Sequence, residues 1–232
     1  MSGLAAGRLA SKYELESRQV AQLEALLETL ATDEHAPTAV REMERAVDIH
    51  LADSLTAVDL EAIRVARRIA DLGAGAGFPG LALAVAFPDA EVALVESQRR
   101  KCEFLRRASA QAEIANVRVV CARAEEWRDG LGANDAVVAR ALASQPVVLE
   151  YAAPLLRLGG TLIDWRGTRN AEEELAALRA AEELGLAPVE IRRVEPFAAA
   201  RDHHLHVFTK VVGTPERFPR RSGVASKRPL GV

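Results

Sequence analysis

The densest chemical information in the chain lies in Asp71-Leu72-Gly73-Ala74-Gly75-Ala76-Gly77-Phe78-Pro79-Gly80. Glycines that leave a strand and open a helix let a ligand approach the backbone and meet free N–H groups. Two registers are open. Gly75, Gly77 and Gly80 fit G-x-G-x-x-G, with Glu96 about 20 residues on, as a dinucleotide site requires. Gly73, Gly75 and Gly77 fit D-x-G-x-G-x-G instead. Asp71 favours the second. A carboxylate repels a pyrophosphate but attracts the ammonium and sulfonium of S-adenosylmethionine. Glu96, closing the next strand, accepts hydrogen bonds from ribose hydroxyls in either register. The expected cofactor is S-adenosylmethionine, with a nicotinamide dinucleotide as the second reading. The bland alternative is that these glycines only allow a tight turn and close helix packing.

Other chemistries find less support. No Asn/Asp-Pro-Pro-aromatic sequence follows the fourth strand, which runs into Arg140-Ala141-Leu142-Ala143-Ser144. Neither Cys102 nor Cys121 follows a proline. A cysteine nucleophile is therefore not expected, and both thiols read as small apolar fillers. His203, His204 and His206 cluster near the end. With no fixed carboxylate or cysteine partner they read as surface or RNA-facing residues, and no metal is expected.

These residues need strands and helices to hold them. Apolar runs predict strands at 68–72, 91–96, 116–121, 135–140 and 161–165, with two more near 188–195 and 204–212. Helical patterns fall between them, to about 87 and over 98–112, 144–157 and 170–184. Such alternation means βαβ units and a mostly parallel sheet. The last two runs have no helix between them and are expected to form an antiparallel edge hairpin. Upstream, residues 11–31 read as an amphipathic helix with a Ser11/Glu14 capping box. A second helix is expected over about 38–65. The expected fold is α/β, a Rossmann-like, mostly parallel seven-stranded sheet over 66–213. A helical extension (1–65) precedes it and a basic tail (214–232) follows.

Composition sets the outer limits. The 232 residues are 49 % hydrophobic and 27 % charged, the balance of an ordinary globular domain. No run approaches the ~20 apolar residues of a membrane span. The start shows no signal peptide, and two cysteines make no disulfide framework. A monomer in a reducing cytoplasm is expected. The net charge of −3 hides a basic end: residues 201–232 hold 7 Lys and Arg against 2 Asp and Glu. Such a segment can hold a phosphate backbone. On charge alone, a solvated and frayed terminus is the better reading.

Several spaced motifs then add a likeness. His50-Leu51-Ala52-Asp53-Ser54-Leu55 comes first, then Ala70–Gly80 with its Phe78-Pro79-Gly80. Val95-Glu96-Ser97 is followed by Arg100-Lys101-Cys102-Glu103-Phe104-Leu105, then Arg123-Ala124-Glu125-Glu126 and Arg140-Ala141. Leu158-Gly159-Gly160 and the tail Phe218-Pro219-Arg220-Arg221-Ser222-Gly223 with Lys227-Arg228-Pro229-Leu230 complete the series. Over about 40–232 the chain resembles the ribosomal RNA small subunit methyltransferase G family (glucose-inhibited division protein B). That family's class I S-adenosylmethionine-dependent methyltransferases act on N7 of a guanine in the decoding-region hairpin loop of 16S rRNA. The resemblance implies that Gly73 and Phe78 contact the cofactor. It places Ala124 and Glu125 at the adenine and Arg140 beside the reacting centre, as a catalytic and cofactor-binding residue. The partner would be 16S rRNA or the 30S subunit.

RNA is expected on Arg166, Arg220, Arg221, Lys227 and Arg228, with Arg41 and Arg45. Replacing the tail arginines should then weaken RNA use and spare the cofactor. Three stretches depart from the family: Ala36-Pro37-Thr38, Arg166-Gly167 where Lys-Gly is usual, and Arg201-Asp202-His203-His204. They bear on RNA recognition. The alternative reading is a methyltransferase acting on another RNA or on a small molecule.

Overall fold

The computed structural model describes residues 2–232, with side chains from residue 7 onward. Seven strands form one sheet: β1 (Arg68–Leu72), β2 (Glu91–Glu96), β3 (Val117–Cys121), β4 (Asn134–Arg140), β5 (Leu156–Arg166), β6 (Leu186–Val194) and β7 (His203–Lys210). Their order is β3-β2-β1-β4-β5-β7-β6. The first five are parallel, and β7 lies antiparallel between β5 and β6. The expected hairpin is present, with a register break between Pro188 and Glu190.

Strand direction decides what meets what. Parallel strands end at one edge of the sheet, and β1 beside β4 makes the switch point where such sheets bind ligands. Reversing β7 brings its first residues to that same edge. Arg140 therefore pairs in register with Trp165, Arg166 with His204, and Asp164 with His206.

Alternation along the strands feeds two cores. Ile69, Leu94 and Val138 face one side, with α6 (Gly80–Ala86), α7 (Arg99–Gln111) and the N-terminal helices. Ala70, Val95 and Val137 face the other, with α8 (Gln145–Ala152) and α9 (Ala171–Leu184).

The N-terminal third is helical, but its boundaries differ from the periodicity. Two helices, α1 (Ser2–Lys12) and α2 (Ser17–Thr32), replace the single one over 11–31. Glu14 sits at φ +53° between them, a left-handed conformation no helix continues through. The cap lies at Glu16, whose N–H donates to Gln19 Oε1 at 2.7 Å, not at Ser11. Gln19 Nε2 in turn donates to Val85 O at 2.7 Å, tying α2 to α6. The expected 38–65 helix is also broken. It becomes α3 (Met43–Ala46), a π-helical turn (Val47–Ala52), α4 (Asp53–Leu55), a 3₁₀ turn (Thr56–Asp59) and α5 (Glu61–Arg64). Leu23, Leu26, Leu27, Leu51 and Leu55 bury into the same core as Ile69 and Leu81. The last helix, α10 (Val224–Lys227), belongs to a tail that is not frayed: Phe218 and Ala225 are buried.

Candidate active site

Two cavities open along the edge where β1–β5 end. The first, about 330 Å³, is lined by Gly73, Glu96, Ala124, Glu125, Tyr151 and Ser226, among others. Glu96 is 5 % exposed. Its Oε2 accepts from Gly75 N at 3.1 Å and its Oε1 from Gln98 N at 2.8 Å. A carboxylate offers about four acceptor positions, so capacity remains for hydroxyls of a ligand. Gly73 holds φ +68°, and a Cβ there would stand 2.5 Å from Leu142 Cδ1. Gly77 holds φ +97° with Leu81 Cδ1 2.2 Å from such a Cβ. Only glycine fits either place.

The rest of the glycine turn supports the first cavity from behind. Asp71 is 1 % exposed and accepts from Gly80 N at 2.8 Å. It lines neither cavity. Burial pushes its pKa up to about 7. Asp71 is sealed beneath the turn and faces neither cavity, where the charge argument from sequence set it at the ligand crevice; it clamps the start of α6. A Cβ at Gly80 would meet Asp71 Oδ2 at 2.6 Å and Leu94 Cδ2 at 2.3 Å, so this glycine serves close approach. Gly75 reaches the cavity through Glu96, and Gly77 lies behind the turn. Phe78 is buried and stacks on His50, ring centroids 5.0 Å apart.

The second cavity, about 320 Å³, is lined by Asp53, Arg140, Trp165, Arg166, His203 and His206, with residues from the start of α9. Asp53 is its hub. Arg140 Nη1 donates to Asp53 Oδ2 at 2.8 Å and to Ile49 O at 2.7 Å. His203 Nδ1 lies 3.1 Å from Asp53 Oδ1, and Trp165 Nε1 donates to Asp53 O at 3.0 Å. His206 is 3 % exposed, and its Nε2 is buried with no partner. Burial holds its pKa down at about 4, so the ring is neutral at pH 7. Beside it Asp164, also buried, is pushed up to about 7. Among the described residues, no group of three or more His, Cys, Asp or Glu is arranged to hold a metal.

Ala141 lines both cavities. It takes φ +53°, uncommon for a residue with a Cβ. The turn after β4 is thus the wall the two cavities share.

The expected RNA-facing cations divide into two groups. Arg221, Lys227 and Arg228 are exposed, as is Arg45. Arg166 instead donates to Ala143 O at 2.8 Å and pairs with Glu173. Arg220 pairs through Nε and Nη2 with Glu150, itself 2 % exposed. Arg41 is exposed as well, and donates to Asp33 O at 3.1 Å. Asp53, Ala141, Tyr151, Trp165, Ser226 and His206 were not singled out as binding residues from sequence. Asp53 carried a signal in the His-x-x-Asp-Ser-Leu motif and Ala141 in Arg140-Ala141, whereas His206, read with His203 and His204 as surface or RNA-facing, is buried, and His203 does have a carboxylate partner in Asp53. Cys102 is buried, its Sγ 3.1 Å from Glu96 O, whereas Cys121 is exposed and fills no core.

The sheet order, with its helices on both faces and two cavities at the ends of β1–β5, is that of a Rossmann-like fold, and the family match below makes the protein an S-adenosylmethionine-dependent methyltransferase. Solved structures of that class share the fold. An O-methyltransferase from Thermotoga maritima superposes with a TM-score of 0.54 at 16 % identity, covering 78 % of this chain and 74 % of its own. The methyltransferase SibL gives 0.58 at 14 % identity, covering 85 % and 70 %. Residues 18–201 match the rRNA small subunit methyltransferase G family, and the chain belongs to it. Ribosomal RNA small subunit methyltransferase G of Chloroflexus aggregans is 38 % identical over 227 residues, 93 % of this chain and 92 % of that protein. The Deinococcus radiodurans protein of the same name is 38 % identical over 199 residues, 83 % and 78 %. No described helix is long and apolar enough to cross a membrane.

Proposed function

We propose that this enzyme methylates N7 of a guanine in the decoding-region hairpin loop of 16S rRNA, acting as a monomer in the cytoplasm. The observation that carries the reading is the shared wall at Ala141, with Glu96 in one cavity and Arg140 in the other. S-adenosylmethionine fits the first cavity. Glu96 has free acceptor capacity for the ribose hydroxyls, and Gly73 clears the backbone. Ala124 and Glu125, with Tyr151 and Ser226, form the far end, for the adenine. When bound, that cofactor supplies an electrophilic methyl group on a cationic sulfur.

The second cavity takes the acceptor guanine. N7 is an unprotonated lone pair at pH 7, so no general base is needed. The protein's task is alignment, water exclusion and local charge. Arg140, held by Asp53 and Ile49 O, fixes the cavity beside Ala141. Neutral His206 offers its unpaired Nε2 to a polar edge of the base, since buried polar groups seek partners. Asp53 and Glu174 line the same cavity and face the positive charge that the methylated purine gains.

The test uses labelled S-adenosylmethionine with undermethylated 30S subunits, naked 16S rRNA or no RNA, followed by digestion and mass spectrometry. Label in 7-methylguanosine is expected, and the labelled sample identifies the substrate form. Label in another nucleoside, or none from protein that binds the cofactor by calorimetry, overturns the reading.

A further inference from the structure

The C-terminal segment carries the chain's basic character, yet its best-made bonds point inward. Arg220 grips Glu150 through Nε at 2.6 Å and through Nη2, and Nη2 also donates to Arg228 O at 2.8 Å. One guanidinium thus closes the segment on itself and pins it to α8. Phe218 and Ala225 bury beside that anchor. From there the segment reaches the first cavity twice. Gly223 N donates to Glu125 Oε1 at 3.0 Å, and Ser226 Oγ lies 3.1 Å from Tyr151 OH. Ser226, Tyr151 and Glu125 all line that cavity.

We propose that residues 218–226 brace one wall of the cofactor pocket, with Ser226 on its lining and Gly223 holding Glu125, and that the Arg220–Glu150 pair is the positioning element that keeps this wall in place. The proposal rests on the assignment of the cofactor to the first cavity. Glu150 is nearly sealed from water, so its charge needs the bidentate partner that Arg220 supplies. Without it the segment loses its anchor, and Glu125 loses the backbone donor that fixes one of its oxygens. Arg220 acts at a distance, through the wall, and touches no reacting atom. The sequence-based expectation that every tail arginine serves RNA and spares the cofactor is thereby divided: Arg220 belongs to the cofactor side.

Affinity for S-adenosylhomocysteine measured by calorimetry tests this, alongside the melting temperature of cofactor-free protein and binding of a 16S rRNA fragment. Steady-state kinetics separate KM for S-adenosylmethionine from kcat. Arg220→Ala is expected to weaken S-adenosylhomocysteine binding about tenfold or more and raise KM for the methyl donor, with RNA affinity within twofold of wild type. Arg220→Lys restores charge but not the fork, and is expected to rescue only part of the loss. Ser226→Ala removes one exposed hydroxyl and leaves the fold intact. It is expected to weaken binding severalfold with an unchanged melting temperature, which also covers the case where Arg220→Ala does not fold. Glu96→Ala is the control for the assignment beneath the proposal. If Glu96→Ala binds normally, the cavity assignment fails. If Glu96→Ala binds poorly while Arg220→Ala and Ser226→Ala bind normally, the wall fails and the cavity stands. Loss of RNA affinity with unchanged cofactor affinity in Arg220→Ala also overturns the proposal.

Discussion

Asp53 and Arg140 stand 87 residues apart in the chain and 2.8 Å apart in space, one on the N-terminal helical segment and the other at the end of β4. The pair makes the N-terminal helices part of the second cavity. Both side chains are largely withdrawn from water, and Asp53 also meets His203 and Trp165.

Asp53→Ala leaves the Arg140 guanidinium without its anion. Removing one partner of a buried pair costs about 3–5 kcal/mol. Denaturant unfolding is expected to show a loss approaching that range, and methylation is expected to fall at least tenfold. Cofactor affinity is expected to hold, because Asp53 lines only the second cavity. Calorimetry with S-adenosylhomocysteine checks the last point.

Asp71 provides a pH signature. Its folded pKa, raised to about 7 from 3.8, means the folded state holds the proton more tightly than the unfolded one. Its contribution is fully present below pH 3.8 and is lost as pH rises toward 7. His50 and His206, lowered to about 4 from 6.5, act in the opposite sense and favour folding as pH rises from about 4 to 6.5. Asp71→Asn keeps an acceptor for Gly80 N–H and removes the titration. The variant is expected to gain on wild type by up to about 1.4 kcal/mol per pH unit between pH 4 and 7. Parallel denaturant titrations at pH 5 and pH 8 measure it.

Gly73→Ala forces a Cβ to within 2.5 Å of Leu142 Cδ1 at φ +68°. The left-handed conformation alone costs about 1–2 kcal/mol for a non-glycine residue. Leu142 lines the first cavity, so the displaced side chain narrows it. Cofactor affinity is expected to fall tenfold or more, while RNA binding, read by filter retention, stays near wild type.

Arg221 and Lys227 are exposed, unlike Arg220. The double variant Arg221→Ala/Lys227→Ala is expected to bind the rRNA fragment less well and with a shallower salt dependence. Each lost contact to single-stranded phosphate lowers the slope of log K against log salt by about 0.7. Cofactor affinity at constant salt is expected to stay unchanged, in contrast with Arg220→Ala.

The contrast between these arginines shows what a linear sequence carries. Strands β1 to β4 were legible because their apolar runs are short, β-branched and bounded by turns. The lining of the first cavity was legible in part, because Gly73 and Glu96 sit at fixed offsets from strand ends. The split of the N-terminal helices was hidden, since Glu14 has no composition that marks a left-handed turn. The second cavity was hidden too. Arg140 meets Asp53 across 87 residues of chain, and His203 joins them because reversed β7 begins at that edge; no local period records either meeting. Charge sign is visible in sequence, but a partner is not, so Arg166 and Arg220 looked the same as Arg221.

The ends of the sheet have a consequence for how molecules meet one another. A row of unpaired backbone groups invites another chain to add a strand. Here β6 presents such a row, and it is interrupted. Pro188 has no N–H to give, the register breaks between Pro188 and Glu190, and Glu190 and Arg192 pair along one face of the strand. At the opposite end β3 carries Arg118, paired with Glu91. A neighbouring copy meets a broken ladder on β6 and only a five-residue, charge-bearing one on β3, and both features disfavour the addition of a strand.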